Sequence, residues 1–495
     1  MKEALANIYR ELSAGRIGRD EALDRIRALK HGGPAGEVAT MFAEPAWIVS
    51  RSPEGQAGGF VRRRVLLSGW SREAGDVLAQ GISDAACLVV DDAAAMPAQR
   101  FAQAALRAFA ELRDLLDARD TGPALVQWVV ADDGDEASLL TGLDGLFEST
   151  TLEQPNLCGQ VVFVPKRIAA AELARILASE ATTSPERVVR HGCDGRQARR
   201  WRMASDAPID RGDGSTQHGG LRERGVYLVT GGLGGLGLLV AAHLRQQVPS
   251  ATLVLCGRSA PQGDAADVLT RLQAQPGAGR IEYRRADVAD AAEAASLVDG
   301  IVRDHGALHG IFHGAGVLRD DFLKKKTADR FAEVLAPKVA GTIALDAASA
   351  RLDLDLFVLF GSIASWAGNL GQTDYAAANG FLDAFSAWRA AQVARGERHG
   401  RSLTLAWPHW IEGGMHVDAE SLRRLEQRTG LRSMDTVAGL RALHAALAMP
   451  QPALMVMHGH APSMREALDA RRRFATHAAP ANPVQDVKAA ITPPA

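Results

Sequence analysis

The sequence predicts an α/β protein: two Rossmann-like, doubly wound parallel sheets in tandem, behind an N-terminal helical hairpin. Three observations predict it. Short runs rich in Val, Leu and Ile alternate with Ala- and Leu-rich helical stretches in two successive series. A stretch almost without apolar residues, between Ala204 and Gly225, separates the series. One dense glycine cluster, Gly231 to Gly237, follows the first strand of the second series. The length agrees, because 495 residues exceed what a single hydrophobic core holds.

In chain order, Leu5, Ile8, Tyr9 and Leu12 recur at helical spacing, Gly15 and Gly18 interrupt them, and Leu23, Ile26 and Leu29 resume it. Residues 1–31 are therefore read as a helical hairpin. Its apolar stripe is narrow and needs a partner, either the body of the protein or a second copy of the chain. Residues 40–204 hold the strand-like runs Arg64-Val-Leu-Leu, Cys87-Leu-Val-Val, Val126-Gln-Trp-Val-Val and Val161-Val-Phe-Val. The first turn of this unit, Ser68-Gly-Trp-Ser, has one glycine. A dinucleotide pyrophosphate needs closer backbone approach than that allows, so the unit is read as structural and cofactor-free. Residues 205–224 form a linker. Residues 225–470 form the second unit, with strands at Val226-Tyr-Leu-Val, Thr252-Leu-Val-Leu, Ile281-Glu-Tyr-Arg, Leu308-His-Gly-Ile-Phe, Leu356-Phe-Val-Leu-Phe and Leu403-Thr-Leu-Ala. From Arg471 the chain turns Ala- and Pro-rich, and residues 471–495 read as a flexible connector.

Composition excludes several classes. With 47% hydrophobic residues, 23% charged residues and a net charge of -2, the chain lacks the basic surface that nucleic acid or an anionic membrane requires. Cys87, Cys158, Cys193 and Cys256 lie far apart with no CxxC pair, so no disulfide framework and no metal site is expected. No signal-peptide run follows Met1, and no apolar stretch reaches the roughly 18 residues that span a bilayer. A cytoplasmic protein is the expectation.

The glycine cluster is Thr230-Gly231-Gly232-Leu233-Gly234-Gly235-Leu236-Gly237, between the strand Val226 to Val229 and a helix from Leu238. Gly231 is read as permitting the tight turn, Gly235 as letting backbone approach a pyrophosphate, and Gly237 as letting helix pack on strand. Where an NAD enzyme places a carboxylate after the second strand, this chain has Gly257-Arg258-Ser259. A guanidinium there suits a 2′-phosphate, so NADPH is the expected cofactor. Asp287 and Val288, after the third strand, are read as the adenine edge. His313-Gly314-Ala315-Gly316, after the fourth, are read as backbone bordering the nicotinamide ribose.

A nicotinamide delivers hydride, negative charge then grows on the accepting oxygen, and a proton donor must meet it. Tyr375, in Gly371-Gln-Thr-Asp-Tyr-Ala-Ala-Ala-Asn379, and Ser362, just past the strand ending at Phe360, both fall at the carboxyl ends of strands, where such sheets bind ligands. A tyrosine pKa of about 10 stands roughly three units above neutral, so a nearby ammonium is needed.

On these motifs the unit from about 225 to 458 resembles a ketoreductase domain of a modular polyketide synthase, within the short-chain dehydrogenase/reductase superfamily. Most of that superfamily has lysine in YxxxK, whereas Asn379 stands there in this chain. The polyketide branch takes its lysine from the preceding helix, and Lys338 in Ala336-Pro-Lys-Val-Ala-Gly matches that position. The resemblance implies that Ser362 and Tyr375 bind the ketone oxygen and that Tyr375 gives the proton. It further implies that Lys338 lowers the tyrosine pKa and holds the nicotinamide ribose, and that Asn379 orders a proton-relay water. The implied substrate is a ketoacyl chain on an acyl carrier protein, with the other domains of the same synthase as partners. The hairpin resembles the dimerisation element found before ketoreductases in synthases whose acyltransferase acts in trans, which implies a homodimer through 1–31.

In the resembled family, D-alcohol producers carry Leu-Asp-Asp after the fourth-strand loop, and L-alcohol producers carry a tryptophan eight residues before the tyrosine. Here Val317-Leu-Arg319-Asp320 keeps the last aspartate, Ala367 holds the tryptophan position, and Trp366 is one residue out of register. A D alcohol is expected. Lys324-Lys-Lys is read as a solvated helix start, with an acidic carrier protein as the other reading. Trp407, His409 and Trp410 before Glu412-Gly-Gly read as the start of a lid or as core packing. The rival functions are a domain that only epimerises an α-substituent and an inert scaffold of the same synthase.

Overall fold

A computed structural model of the chain describes residues 38–50, 59–90, 96–118, 122–181, 186–205, 220–275, 277 and 279–470. The expected hairpin at 1–31, the connector at 471–495 and most of the expected linker lie outside the described residues.

The first half contributes β1 (Val38–Val49), β2 (Arg62–Ser68), β3 (Ala86–Val90), β4 (Ala124–Asp132), β5 (Leu157–Pro165), β6 (Val188–Gly192) and β7 (Gly195–Met203). The second contributes β8 (Val226–Thr230), β9 (Thr252–Gly257), β10 (Ile281–Arg285), β11 (Gly310–His313), β12 (Leu356–Ser362), β13 (Arg401–Trp407) and β14 (Ala453–His460). Six helices matter for the site: α1 (Pro97–Asp117), α2 (Leu143–Glu153), α3 (Gly235–Gln247), α4 (Ala328–Ala348), α5 (Thr373–Ala394) and α6 (Ala419–Thr429).

The sheet order is β10-β9-β8-β11-β12-β13-β14-β1-β7-β6-β5-β4-β2-β3. The run β10 to β13 is the doubly wound order, with its reversal between β8 and β11, and a crevice opens there at the carboxyl ends of the strands. The first half repeats the pattern in shorter form, with parallel pairs from β3 to β6. The two α/β halves are as the sequence predicts, but their sheets are not separate. The strand β1 pairs antiparallel with β14 on one side and with β7 on the other, welding them edge to edge. Covering both edges removes unpaired backbone that would otherwise face water.

Central strands such as Leu356-Phe-Val-Leu-Phe are buried on both faces because helices cover both, which is why they read as unbroken apolar runs. The two halves also share one hydrophobic core, in which Phe101 lies 4.9 Å from Phe381 and Phe109 lies 4.7 Å from Phe331, ring centre to ring centre. The helix α2 approaches α5 at backbone distance: a Cβ on Gly145 would stand 2.4 Å from Ala376 O, and one on Gly380 would stand 2.3 Å from Gly142 O. Glycine at these places is what lets the first half press against the helix that carries Tyr375.

Candidate active site

At the switch point the chain leaves β8 through Gly231, whose φ of 66° lies in the left-handed region. A Cβ there would stand 2.7 Å from Gly314 O, so both conformation and space require glycine. Gly237 opens α3 against the same turn, its missing Cβ being 2.3 Å from Gly231 O. Gly235 has a further use that the sequence did not disclose. A Cβ on it would stand 2.6 Å from Gly413 O, so its bareness admits the Gly413–Gly414 segment as well as any ligand.

The crevice is a cavity of about 870 Å³. It is lined by the glycine loop (Gly231, Gly234, Gly235, Leu236 and Gly237), by Gly314 and Gly316, and by Lys338, Ser362, Ala367 and Tyr375. Trp407, His409 and Trp410 cover it, together with Met415 and the Leu422 and Leu425 face of α6. The two tryptophans pack edge to face at 5.1 Å and belong to the core while also lining the cavity, so the core reading agrees with their packing. His409 is fixed by hydrogen bonds between Nδ1 and Ser433 Oγ at 2.9 Å and between Nε2 and Met415 O at 3.0 Å. Arg428 of α6 donates to Ala367 O at 2.8 Å.

Tyr375 enters from the first turn of α5 and is buried. Burial is the first cause that raises its pKa, and Ser362 and Asn379 beside it oppose the rise. Lys338 reaches in from α4, donates from Nζ to Phe360 O at 2.8 Å, and stands 5.9 Å from the tyrosine ring centre. Desolvation pulls its pKa down to about 8. The lysine is therefore beside the tyrosine. Asn379 Nδ2 donates to Tyr375 O at 2.7 Å, while its buried Oδ1 has no partner. Asp383, one turn further along α5, accepts from or shares a proton with Ser365 Oγ at 2.7 Å, and burial raises its pKa to about 7.

His313 does more than supply backbone. Its Nδ1 lies 2.6 Å from Thr230 Oγ1 and its Nε2 lies 3.0 Å from Pro337 O. Burial drives its pKa down to about 3, so the ring is neutral, with Nε2–H donating to the Pro337 carbonyl and Nδ1 accepting from the Thr230 hydroxyl. The ring thus ties the strand β8 to the helix at the residue before Lys338.

Several expected residues stand outside the cavity wall. Arg258 and Ser259 are exposed beyond β9, and their carbonyls accept from Arg285 Nε and the Tyr283 hydroxyl. Asp287 Oδ1 closes a local turn with Ala289 N at 3.0 Å, and Val288 is buried against Gly341. Gly232, Leu233 and Ala315 support the loops from behind. Asp320 is exposed and accepts from Nε2 of Gln372, which lines the cavity, at 2.9 Å. Trp366 packs into a core cluster with Trp201 and Met455, away from the cavity that Ala367 borders. The Lys324-Lys-Lys run is not uniformly solvated: Lys326 is fully buried and paired with Asp374 at 2.6 Å. Leu152, from the half read as structural, lines the cavity and was not foreseen. Leu422 and Leu425 were not foreseen either, and the place of Leu152 is set by packing between the halves.

Comparison with known proteins places this geometry. The KR domain family matches residues 225–412. Polyketide synthases PksL and PksN of Bacillus subtilis are 37% identical over 361 residues and 33% identical over 451 residues, which is 73% and 90% of this chain. The chain spans only 8% of the length of either synthase. A ketoreductase domain from the bacillaene assembly line superposes with a TM-score of 0.78 at 31% identity, covering 87% of this chain and 100% of that one. The chain thus belongs to the ketoreductase domains of polyketide synthases, an oxidoreductase family.

Proposed function

We propose that this domain uses NADPH to reduce a 3-ketoacyl thioester, held on an acyl carrier protein, to the D (3R for a simple chain) 3-hydroxyacyl thioester. The observation that carries the reading is the convergence of Tyr375, Ser362 and Lys338, from α5, β12 and α4, on a cavity that the glycine loop also lines. The residues present fit a dinucleotide: the glycine turn between β8 and α3 presents backbone to the cavity, and the end of β9 offers the exposed Arg258 with no carboxylate beside it in Gly257-Arg258-Ser259. When bound, the cofactor supplies the hydride.

The chain's own groups handle the oxygen. Ser362 and Tyr375 hydroxyls bind the ketone oxygen, and Tyr375 releases its proton as charge grows there. The Lys338 ammonium favours the tyrosinate that remains. Asn379 Oδ1, buried with free lone pairs, suits a water that returns the proton. The D configuration is supported by Asp320 holding Gln372 at the cavity wall and by the small Ala367 where a tryptophan would otherwise steer the substrate. The test is to supply a ketoacyl thioester or a cyclic ketone with NADPH and resolve the alcohol on a chiral column. NADPH consumption with mainly D product is expected, and mainly L product refutes the stereochemical part.

The wider organisation follows the same reading. Residues 40–204 form the structural unit, 205–224 link it to the catalytic unit of 225–470, 471–495 connect to the rest of the synthase, and 1–31 promote self-association. Sedimentation of the full chain beside one lacking 1–31 decides the last point, and equal monomeric behaviour removes it.

A further inference from the structure

The last residue of α2 reaches across from the half without a glycine loop. Glu153 is buried, and each of its carboxylate oxygens takes a backbone amide of the other half: Oε2 accepts from Leu323 N at 2.7 Å and Oε1 accepts from Gly371 N at 2.9 Å. The two amides belong to different loops. Leu323 follows Asp320 and Asp321, and Gly371 precedes Tyr375 by one turn of chain.

The same loops are tied to each other around that carboxylate. Asp321 N donates to Gly371 O at 3.0 Å, and Gln372 Nε2 donates to Asp320 Oδ2 at 2.9 Å. The buried Lys326 donates to Arg319 O at 2.7 Å and to Asp374 Oδ2 at 2.6 Å, and Asp374 Oδ1 accepts from Tyr375 N at 2.8 Å. Leu152, beside Glu153, is part of the cavity wall. A buried carboxylate is costly unless its oxygens are satisfied. Here they are satisfied by two segments that border the cavity, one through Val317 and Leu318 and the other through Leu370, Gln372 and Tyr375.

We infer that Glu153 is a positioning residue for the reduction: by holding the Leu323 and Gly371 amides together it fixes how the ketone is turned toward Tyr375. The inference rests on the reading of the site as a ketone reductase. A shift of about 1 Å in such a contact is enough to change rates by orders of magnitude. Because hydride arrives from one face, loosening the entrance alters which face is presented. A glutamate that merely anchored α2 would leave product handedness alone.

The test uses the full chain with Glu153→Gln, which keeps the volume but turns an amide NH2 toward one of the two N–H groups, and Glu153→Asp, which is too short to reach both. For each, the ketone KM and kcat, the ratio of alcohol enantiomers and the NADPH Kd are measured. Hydrogen exchange is followed in residues 319–326 and 368–375. Both variants are expected to raise the ketone KM and erode the enantiomer ratio by at least about fivefold, the effect of one lost buried hydrogen bond, with NADPH Kd unchanged. Exchange should quicken in both segments together. An unchanged enantiomer ratio and KM in a folded, NADPH-binding variant overturns the inference, as does a fall in kcat alone. If the unmodified chain reduces no ketone, the functional reading fails separately. The exchange data then judge Glu153: protection lost in both segments supports the tie, and protection kept overturns it.

Discussion

After β8 the chain turns through Gly231 and leaves a cavity of about 870 Å³, whereas after β2 it turns through Gly69 and fills the corresponding place with side chains. Gly69 has a φ of 91°, and a Cβ on it would stand 2.6 Å from an Arg100 guanidinium nitrogen. Trp70 is 4% exposed, donates from its indole to Lys166 O at 2.9 Å, and packs with Leu67, Val164 and Leu173. Both halves are doubly wound, so both offer a crevice at the carboxyl ends of their strands. Several glycines keep one open; a tryptophan and an arginine close the other. The closed half is then free to serve as a wall, and α2 does so through Leu152, with Glu153 beside it accepting from Leu323 N.

The comparison breaks if chemistry survives damage to the open half. Tyr375→Phe, measured by NADPH oxidation with a ketone in excess, is expected to lose about 10²–10⁴-fold in rate, since it removes the proton donor and little volume. The matching damage to the closed half acts on stability. Trp70→Ala is expected to cost about 3–5 kcal/mol by leaving a cavity, lowering Tm while leaving NADPH affinity intact. Weakened cofactor binding in a folded Trp70→Ala protein would mean that the closed crevice takes part in the site.

Smaller effects sharpen the contrast. The Lys338 pKa is lowered to about 8, so its ammonium is present below that pH and is lost above it. The reduction rate should therefore fall through about pH 8, approaching tenfold per further unit, and Lys338→Arg should move the fall upward, because a guanidinium stays charged. A rate flat to pH 10 would separate the lysine from the chemistry. Arg258→Ala should reduce the preference for NADPH over NADH by about fivefold, a modest amount because the guanidinium is exposed and screened. Equal Kd ratios in the variant and the unmodified chain would free Arg258 of that role.

Local chemistry made much of this legible. The strand, glycine turn and helix from Val226 to Gln247 are contiguous, and so are Ser362 and the strand that ends at it, so the sequence identifies them without knowing what they face. The Lys-Lys-Lys run misled because charge alone suggests water. Lys326 is buried by an ion pair with Asp374, which stands 48 residues away in the chain. Trp366 similarly lies one residue from a position that steers substrates in the resembled family, yet that single residue turns it into the core.

The sequence by itself determined the two α/β series and the glycine turn after β8, because period and turn chemistry act within short stretches of chain, whereas Lys338 entered only through the family resemblance. The tertiary structure alone decided that β1 welds two sheets into one, that His313 braces Pro337, and that Glu153 joins the loops beside Tyr375. Each depends on groups far apart in sequence, 170 residues in the pair Glu153 and Leu323, whose meeting is set by register and packing of whole elements.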